Sequence, residues 1–141
     1  RIIPRTMLFA RLGKKLPLHG GGHSVRSFVH IKDVADATLR VALHGVPGET
    51  YHISTRETVS IRGLVEQICV SMEKEFEEVV EVSEDRLGKD DAYLLDSQKI
   101  RNDLGWVDQF SLKEGVLHTL EWLDNNLIIL QEQPDSYIHK P

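Results

Sequence analysis

The chain has 141 residues, enough for one domain with a core of its own, and its 40% hydrophobic and 28% charged residues are ordinary for a globular fold in water. A formal charge of −5 argues against broad binding to nucleic acid or to an anionic membrane, but a few focused arginines can still hold a small anionic ligand. The single cysteine, Cys69, excludes an internal disulfide and a thiolate metal cluster; no apolar run approaches the ~20 residues of a membrane span, and a reducing cytoplasm fits.

The opening Arg1-Ile2-Ile3-Pro4 carries neither a starting methionine nor a signal-peptide pattern and reads as the interior of a longer polypeptide. Pro4 suits a first helical turn, and a helix is predicted from about Pro4 to Gly13. Leu16-Pro17-Leu18-His19 is a short extended piece, with Pro17 fit for a sheet edge. Gly20-Gly21-Gly22 makes a tight turn. Ser27 to Ile31 alternates and is rich in branched residues, so it is predicted as a strand that forms a hairpin with residues 16–19. Asp33 is placed to cap a helix running to His44. Thr50 to Ser54 is a predicted strand. Ser60 caps a helix whose Ile61, Leu64, Val65 and Ile68 share one face, with Cys69 buried in it. Glu78 to Val82 is a strand, and Asp85 to Asp91 is a charged loop. A short helix starts at Asp96 or Ser97 and ends at Gly105. Ser111-Leu112-Lys113-Glu114 is a capping box ahead of a helix lined by Val116, Leu120 and Leu123. Trp106 and Trp122 are expected as core anchors. Residues 1–130 form the folded unit, and residues 131–141 a polar tail.

Helices mixed with short strands, without regular alternation, imply an α+β unit and not a complete doubly wound sheet. The strands near Tyr51 and Val80 are placed to extend a larger sheet outside the chain. A dinucleotide site needs a glycine-rich turn between a strand and a helix. The three glycines lie between two predicted strands and lack the G-x-G-x-x-G spacing, and no tyrosine is followed four residues later by lysine. No oxidoreductase centre, and no catalytic residue, is therefore assigned to this chain.

Arg26 follows the glycine turn and Arg86 lies in the charged loop; the planar fork of arginine binds phosphate oxygens through paired bonds, so two from separate loops can clamp a diphosphate. Spacing alone favours the plainer reading, solvated charges or pairs with Asp85, Asp90 or Asp91. His19, His23 and His30 surround the glycines without a third-ligand spacing, so no metal site is assigned. Asp33 and Asp36, three residues apart at a helix start, read more simply as partners of free N–H groups than as an acid/base pair.

Four segments in order carry a family pattern. The run Leu16-Pro17-Leu18-His19-Gly20-Gly21-Gly22-His23-Ser24-Val25-Arg26-Ser27-Phe28-Val29-His30-Ile31-Lys32-Asp33-Val34-Ala35-Asp36-Ala37, then Gly48-Glu49-Thr50-Tyr51-His52-Ile53-Ser54, then Asp96 to Trp106, then Leu112-Lys113-Glu114-Gly115-Val116, resembles the NAD-dependent nucleotide-sugar epimerases and dehydratases of the extended short-chain dehydrogenase/reductase type, above all sugar-nucleotide 4,6-dehydratases of the dTDP-glucose kind. The matches cover about residues 1 to 126. His52, Lys89 and Glu57 depart from the pattern and leave the nucleotide and sugar open.

The resemblance implies a small C-terminal substrate-binding subdomain whose Rossmann part lies upstream. It implies that Arg26 and Arg86 bind the diphosphate of a nucleoside-diphosphate sugar. Pro17 and His19 would border the base, Leu18 would offer backbone groups, and Arg1 would reach toward the phosphates. NAD and the Tyr/Lys proton chemistry would belong to the upstream part, and the parent enzyme would be a homodimer. A 4-epimerase or reductase of the same family, and a stand-alone nucleotide-sugar-binding module, are the alternatives.

Overall fold

The computed structural model describes residues 1–85, 88 and 90–133. In chain order these form α1 (Ile2–Arg11), β1 (Leu16–His19), a 3-10 turn (Gly20–Gly22), β2 (Val25–Arg26), α2 (Ile31–His44), β3 (Val59–Ser60), α3 (Ile61–Ser71), α4 (Phe76–Val79), β4 (Val80–Ser83), β5 (Ala92–Tyr93), α5 (Gln98–Leu104), α6 (Leu112–Asn125) and α7 (Leu127–Gln131). The mixture of helices with short strands is the α+β arrangement expected.

Two of the long helices begin and one short helix ends where local chemistry says they should. Ser60 Oγ accepts the Gly63 N–H, satisfying one of the free donors at the start of α3. Ser111 and Glu114 close a reciprocal capping box on α6. Gly105 ends α5 with a left-handed residue. On α3, Leu64, Val65 and Ile68 are fully buried, and Cys69 nearly so. They meet Met7 and Phe9 of α1, Leu16 and Leu18 of β1, Val80 of β4, and Val116, Leu120 and Leu123 of α6 in the main core. Each such side chain contributes about 1.5–3 kcal/mol by leaving water. Burial pushes the Cys69 thiol above its ordinary pKa, with Glu66 adding to the shift.

A second core joins Ala37 of α2, Ile100 of α5 and Trp106. Asp33 ties it together. Its buried carboxylate accepts the N–H of Gln109 at 3.0 Å and of Phe110 at 3.2 Å, and its backbone carbonyl accepts Trp106 Nε1 at 3.1 Å. A carboxylate leaves water here because it satisfies two backbone donors of a connection that has no ladder partners.

The strands differ from the sequence reading. Residues 27–31 are not a strand, and no hairpin forms with residues 16–19. β1 instead runs parallel to β4, with Leu16 opposite Val80 and His19 opposite Ser83, while β2 lies between antiparallel β3 and parallel β5. The alternation at 28–30 has another cause. Phe28 packs on the main core, Val29 on the second, and His30 caps α2 by accepting the Lys32 N–H. Desolvation holds the His30 imidazole below its ordinary pKa, and the neighbouring His118 adds to this. Asp33 is thus not the cap of α2. Its carboxylate goes across to residues 109–110, and Asp36 pairs with Arg40 at 2.8 Å.

The strand predicted from Thr50 to Ser54 does not form, and the segment predicted as strand from Glu78 starts as the end of α4 before β4 takes over at Val80. Trp106 is fully buried as expected, but Trp122 is 52% exposed. It falls off the Val116–Leu120–Leu123 stripe of α6.

Replacing Asp33 with alanine leaves two N–H groups of the 109–110 connection unpaired. The unfolding free energy should fall by on the order of 3 kcal/mol, with Asp33→Asn in between, as read from urea denaturation.

Candidate functional site

Parallel pairing of β1 with β4 brings the C-terminal ends of both strands together. There His19 Nδ1 lies 2.9 Å from Ser83 Oγ and 3.3 Å from the Glu84 carbonyl oxygen. The chain then passes through the charged loop and returns as β5 beside β2, with Val25 opposite Ala92 and Arg26 opposite Tyr93. Both ends of that loop are fixed against the first strand pair. The carboxyl group of Asp85 occupies the space next to Gly20. At the other end, the Asp91 carbonyl accepts the Val25 N–H at 2.7 Å and the Asp90 carbonyl accepts Arg26 Nη2 at 2.9 Å. Arg26 Nη1 donates to its neighbour's carbonyl, Val25 O, at 2.7 Å. These two side-chain bonds occupy two of the five N–H donors of a guanidinium. The half-buried Arg26 is thus held at the mouth of the loop by neutral carbonyls, which orient it without neutralising it.

The glycine turn makes this approach possible. Gly20 has φ +57°, and a Cβ there would stand 2.3 Å from Asp85 Cγ. Gly22 has φ +74°, and a Cβ there would meet the Arg62 backbone nitrogen at 2.8 Å and the Leu18 side chain at 3.1 Å. The turn therefore packs against the first turn of α3 and against a carboxylate. A dinucleotide pyrophosphate would need free helix amides and no nearby anion, so these residues do not fit the NAD cradle. Among the described residues no group of three histidine, cysteine or acidic side chains is placed to hold a metal ion. His30 stacks on Phe110 at 4.2 Å, with His118 edge-on to both.

The candidate residues separate as follows. Arg26 and His19 stand on β2 and β1, joined by the glycine turn, and each contacts an end of the 84–91 loop. Pro17 is exposed on β1, opposite Glu81. Leu18 is 3% exposed and its side chain belongs to the core, which leaves only its backbone for a ligand. Arg1 is exposed at the start of α1, on an element apart from β1 and β2. Arg86, and the Lys89 that departs from the family pattern, lie outside the described residues.

Just beyond the ends of β2 and β5 lies a pocket of about 230 Å³ that the sequence reading missed, walled by Ser27, Ser54, Thr55, Leu95, Ser97 and Arg101 among others. Arg101 is its buried cation. Nη2 donates to the Ser54 carbonyl at 3.0 Å and lies 2.7 Å from Asp108 Oδ1, Nε donates to Ser97 Oγ at 3.0 Å, and the guanidinium lies 4.7 Å from the Trp106 ring centroid. The only local signal was the i, i+4 spacing of Ser97 and Arg101; Asp108 lies beyond the end of α5, and Ser54 is remote in sequence.

With this geometry in place, relationships to known proteins are informative. The sequence profile of the GDP-mannose 4,6 dehydratase family matches residues 1–119. The chain is 35% identical to a dTDP-glucose 4,6-dehydratase of Escherichia coli, over 89% of this chain and 38% of that protein. The fold superposes on the crystal structure of DesIV, a dTDP-glucose 4,6-dehydratase of Streptomyces venezuelae with NAD bound, with a TM-score of 0.85 and 32% identity, covering 89% of this chain and 39% of that one. It superposes on Bordetella bronchiseptica WbmF in complex with NAD+ and UDP with a TM-score of 0.76 and 30% identity, covering 94% and 38%. The chain belongs to the nucleotide-sugar-modifying extended short-chain dehydrogenases/reductases and, within that class, to the GDP-mannose 4,6 dehydratase family. It spans about two-fifths of the length of these relatives.

Gly22→Ala tests the turn. A Cβ at positive φ against the Arg62 backbone should cost about 1–3 kcal/mol of stability, measured by thermal or urea unfolding.

Proposed function

We propose that this chain is the nucleoside-diphosphate-sugar-binding portion of an NAD-dependent sugar-nucleotide 4,6-dehydratase. Family membership supports the class. The observation that carries the reading is Arg26, oriented by the Asp90 carbonyl at one end of the very loop whose sequence contains Arg86. Two guanidinium groups meeting at that loop would hold the diphosphate through charge-assisted, paired hydrogen bonds. His19 and the exposed Pro17 would border the base, and Leu18 would offer backbone groups to it. Arg1 would add charge from α1. The UDP reported with WbmF is a ligand of the proposed kind.

The division of labour follows from what these residues can do. They bind and orient. The described glycine turn does not fit NAD, so cofactor and proton transfer would belong to an upstream Rossmann part, in the larger share of the relatives that this chain does not span. When bound there, NAD would supply hydride acceptance and return. This portion's contribution is to grip a non-reacting part of the substrate, so that binding energy fixes the sugar for chemistry elsewhere.

In the complete protein, Arg26→Ala should weaken binding of UDP or dTDP by about 2 kcal/mol, roughly 30-fold, by calorimetry. An unchanged dissociation constant for both would refute the arginine grip.

A further inference from the structure

Residues 51–58 enter no ladder, yet Ser54 and Thr55 are buried and wall the pocket beyond β2 and β5. Backbone without ladder partners is placed by whatever side chains reach it. Two contacts do so here. From one side, Arg101 of α5 donates to the Ser54 carbonyl. From the other, Ser54 Oγ and Ser27 Oγ lie 2.8 Å apart, and Ser27 is the residue after Arg26. Thr55 Oγ1 donates onward to the Glu57 carbonyl and closes the segment on itself.

We infer that Arg101 is a positioning residue for the nucleotide-sugar site, setting through Ser54 and Ser27 the pocket wall and the end of the strand that carries Arg26. This rests on the reading of Arg26 given above. The geometry is that of an over-determined brace. The Arg101 side chain is 8% exposed and its partner Asp108 23%. The planar fork spans Asp108, Ser54 and Ser97 at once while its face packs on Trp106. A lysine at 101 could keep the charge opposite Asp108, but one ammonium cannot reproduce that fork. The brace is itself anchored in the second core. The Asp33 carbonyl holds Trp106, Trp106 supports Arg101, and Arg101 holds the pocket wall. Arg101 reaches Arg26 through Ser54 and Ser27.

The test uses the complete protein, with UDP and dTDP as probes. Arg101→Met and Arg101→Lys are compared with Arg26→Ala by calorimetry, each with its thermal midpoint recorded. A positioning role predicts that Arg101→Lys remains folded and yet binds the tighter of the two nucleotides about tenfold more weakly, with Arg101→Met weaker still if it folds. A purely structural role would move the thermal midpoint and leave affinity in the folded protein untouched. Folded Arg101→Lys with unchanged affinity, while Arg26→Ala is impaired, would overturn the inference and leave the arginine grip standing. Unchanged affinity in Arg26→Ala would instead remove the grip itself.

Discussion

The strand Val25–Arg26 has a neighbour on each side, and the one on the β5 side sets where the Arg26 side chain is held. β5 reaches β2 only after the chain has run parallel to β1 through β4 and crossed the charged loop. The carbonyls of Asp90 and Asp91 then bond the Arg26 side chain and the Val25 backbone. A guanidinium so held has lost much of its rotamer freedom, which would lower the entropic cost of binding in the proposed site. It has done so against neutral acceptors, so its charge stays available to an anion. In contrast, Arg11 and Arg40 are matched to Asp124 and Asp36, and their charge is spent within the fold.

The rest of the architecture serves that placement. The main core fixes α1, α3 and α6 around the β1–β4 pair, and so fixes where the loop departs. The second core, with Asp33, Trp106 and Arg101, fixes the ladder-free segment that lines the other side. Among the described residues, the side-chain polar groups buried in this second layer are all partnered. Such networks cost stability heavily when one member is lost, and in return they specify a single arrangement.

Sequence reading recovered α1, α2, α3, α5 and α6 because their signals are local, and missed the short α4 and α7. Ser60, the Ser111/Glu114 box and Gly105 each act within one turn, and the apolar stripe of α3 is visible in its spacing. It placed the strand at 16–19 and most of the one from Glu78, but failed on the other strands and on the pairing, because the partners are remote and the strands short. Nothing near Leu16 announces Val80. The alternating 27–31 run suggested a strand, but its Phe28 and Val29 divide between two cores and His30 serves as a cap. For the site, the family pattern led to Arg26 and His19, and the structure puts both against the same loop. Arg101 was invisible because two of its three polar partners, Ser54 and Asp108, come from other segments. The exposure of Trp122 shows the limit of residue type as a guide, since helical phase outweighed the tendency of tryptophan to bury.

The most direct test is a crystal structure of the complete protein with UDP or dTDP bound. The account predicts the diphosphate between β2 and the 84–91 loop, with its oxygens within about 3.2 Å of both the Arg26 and the Arg86 guanidinium groups. A diphosphate seated elsewhere, or side chains at 26 and 86 that point to opposite faces of the protein, would contradict it.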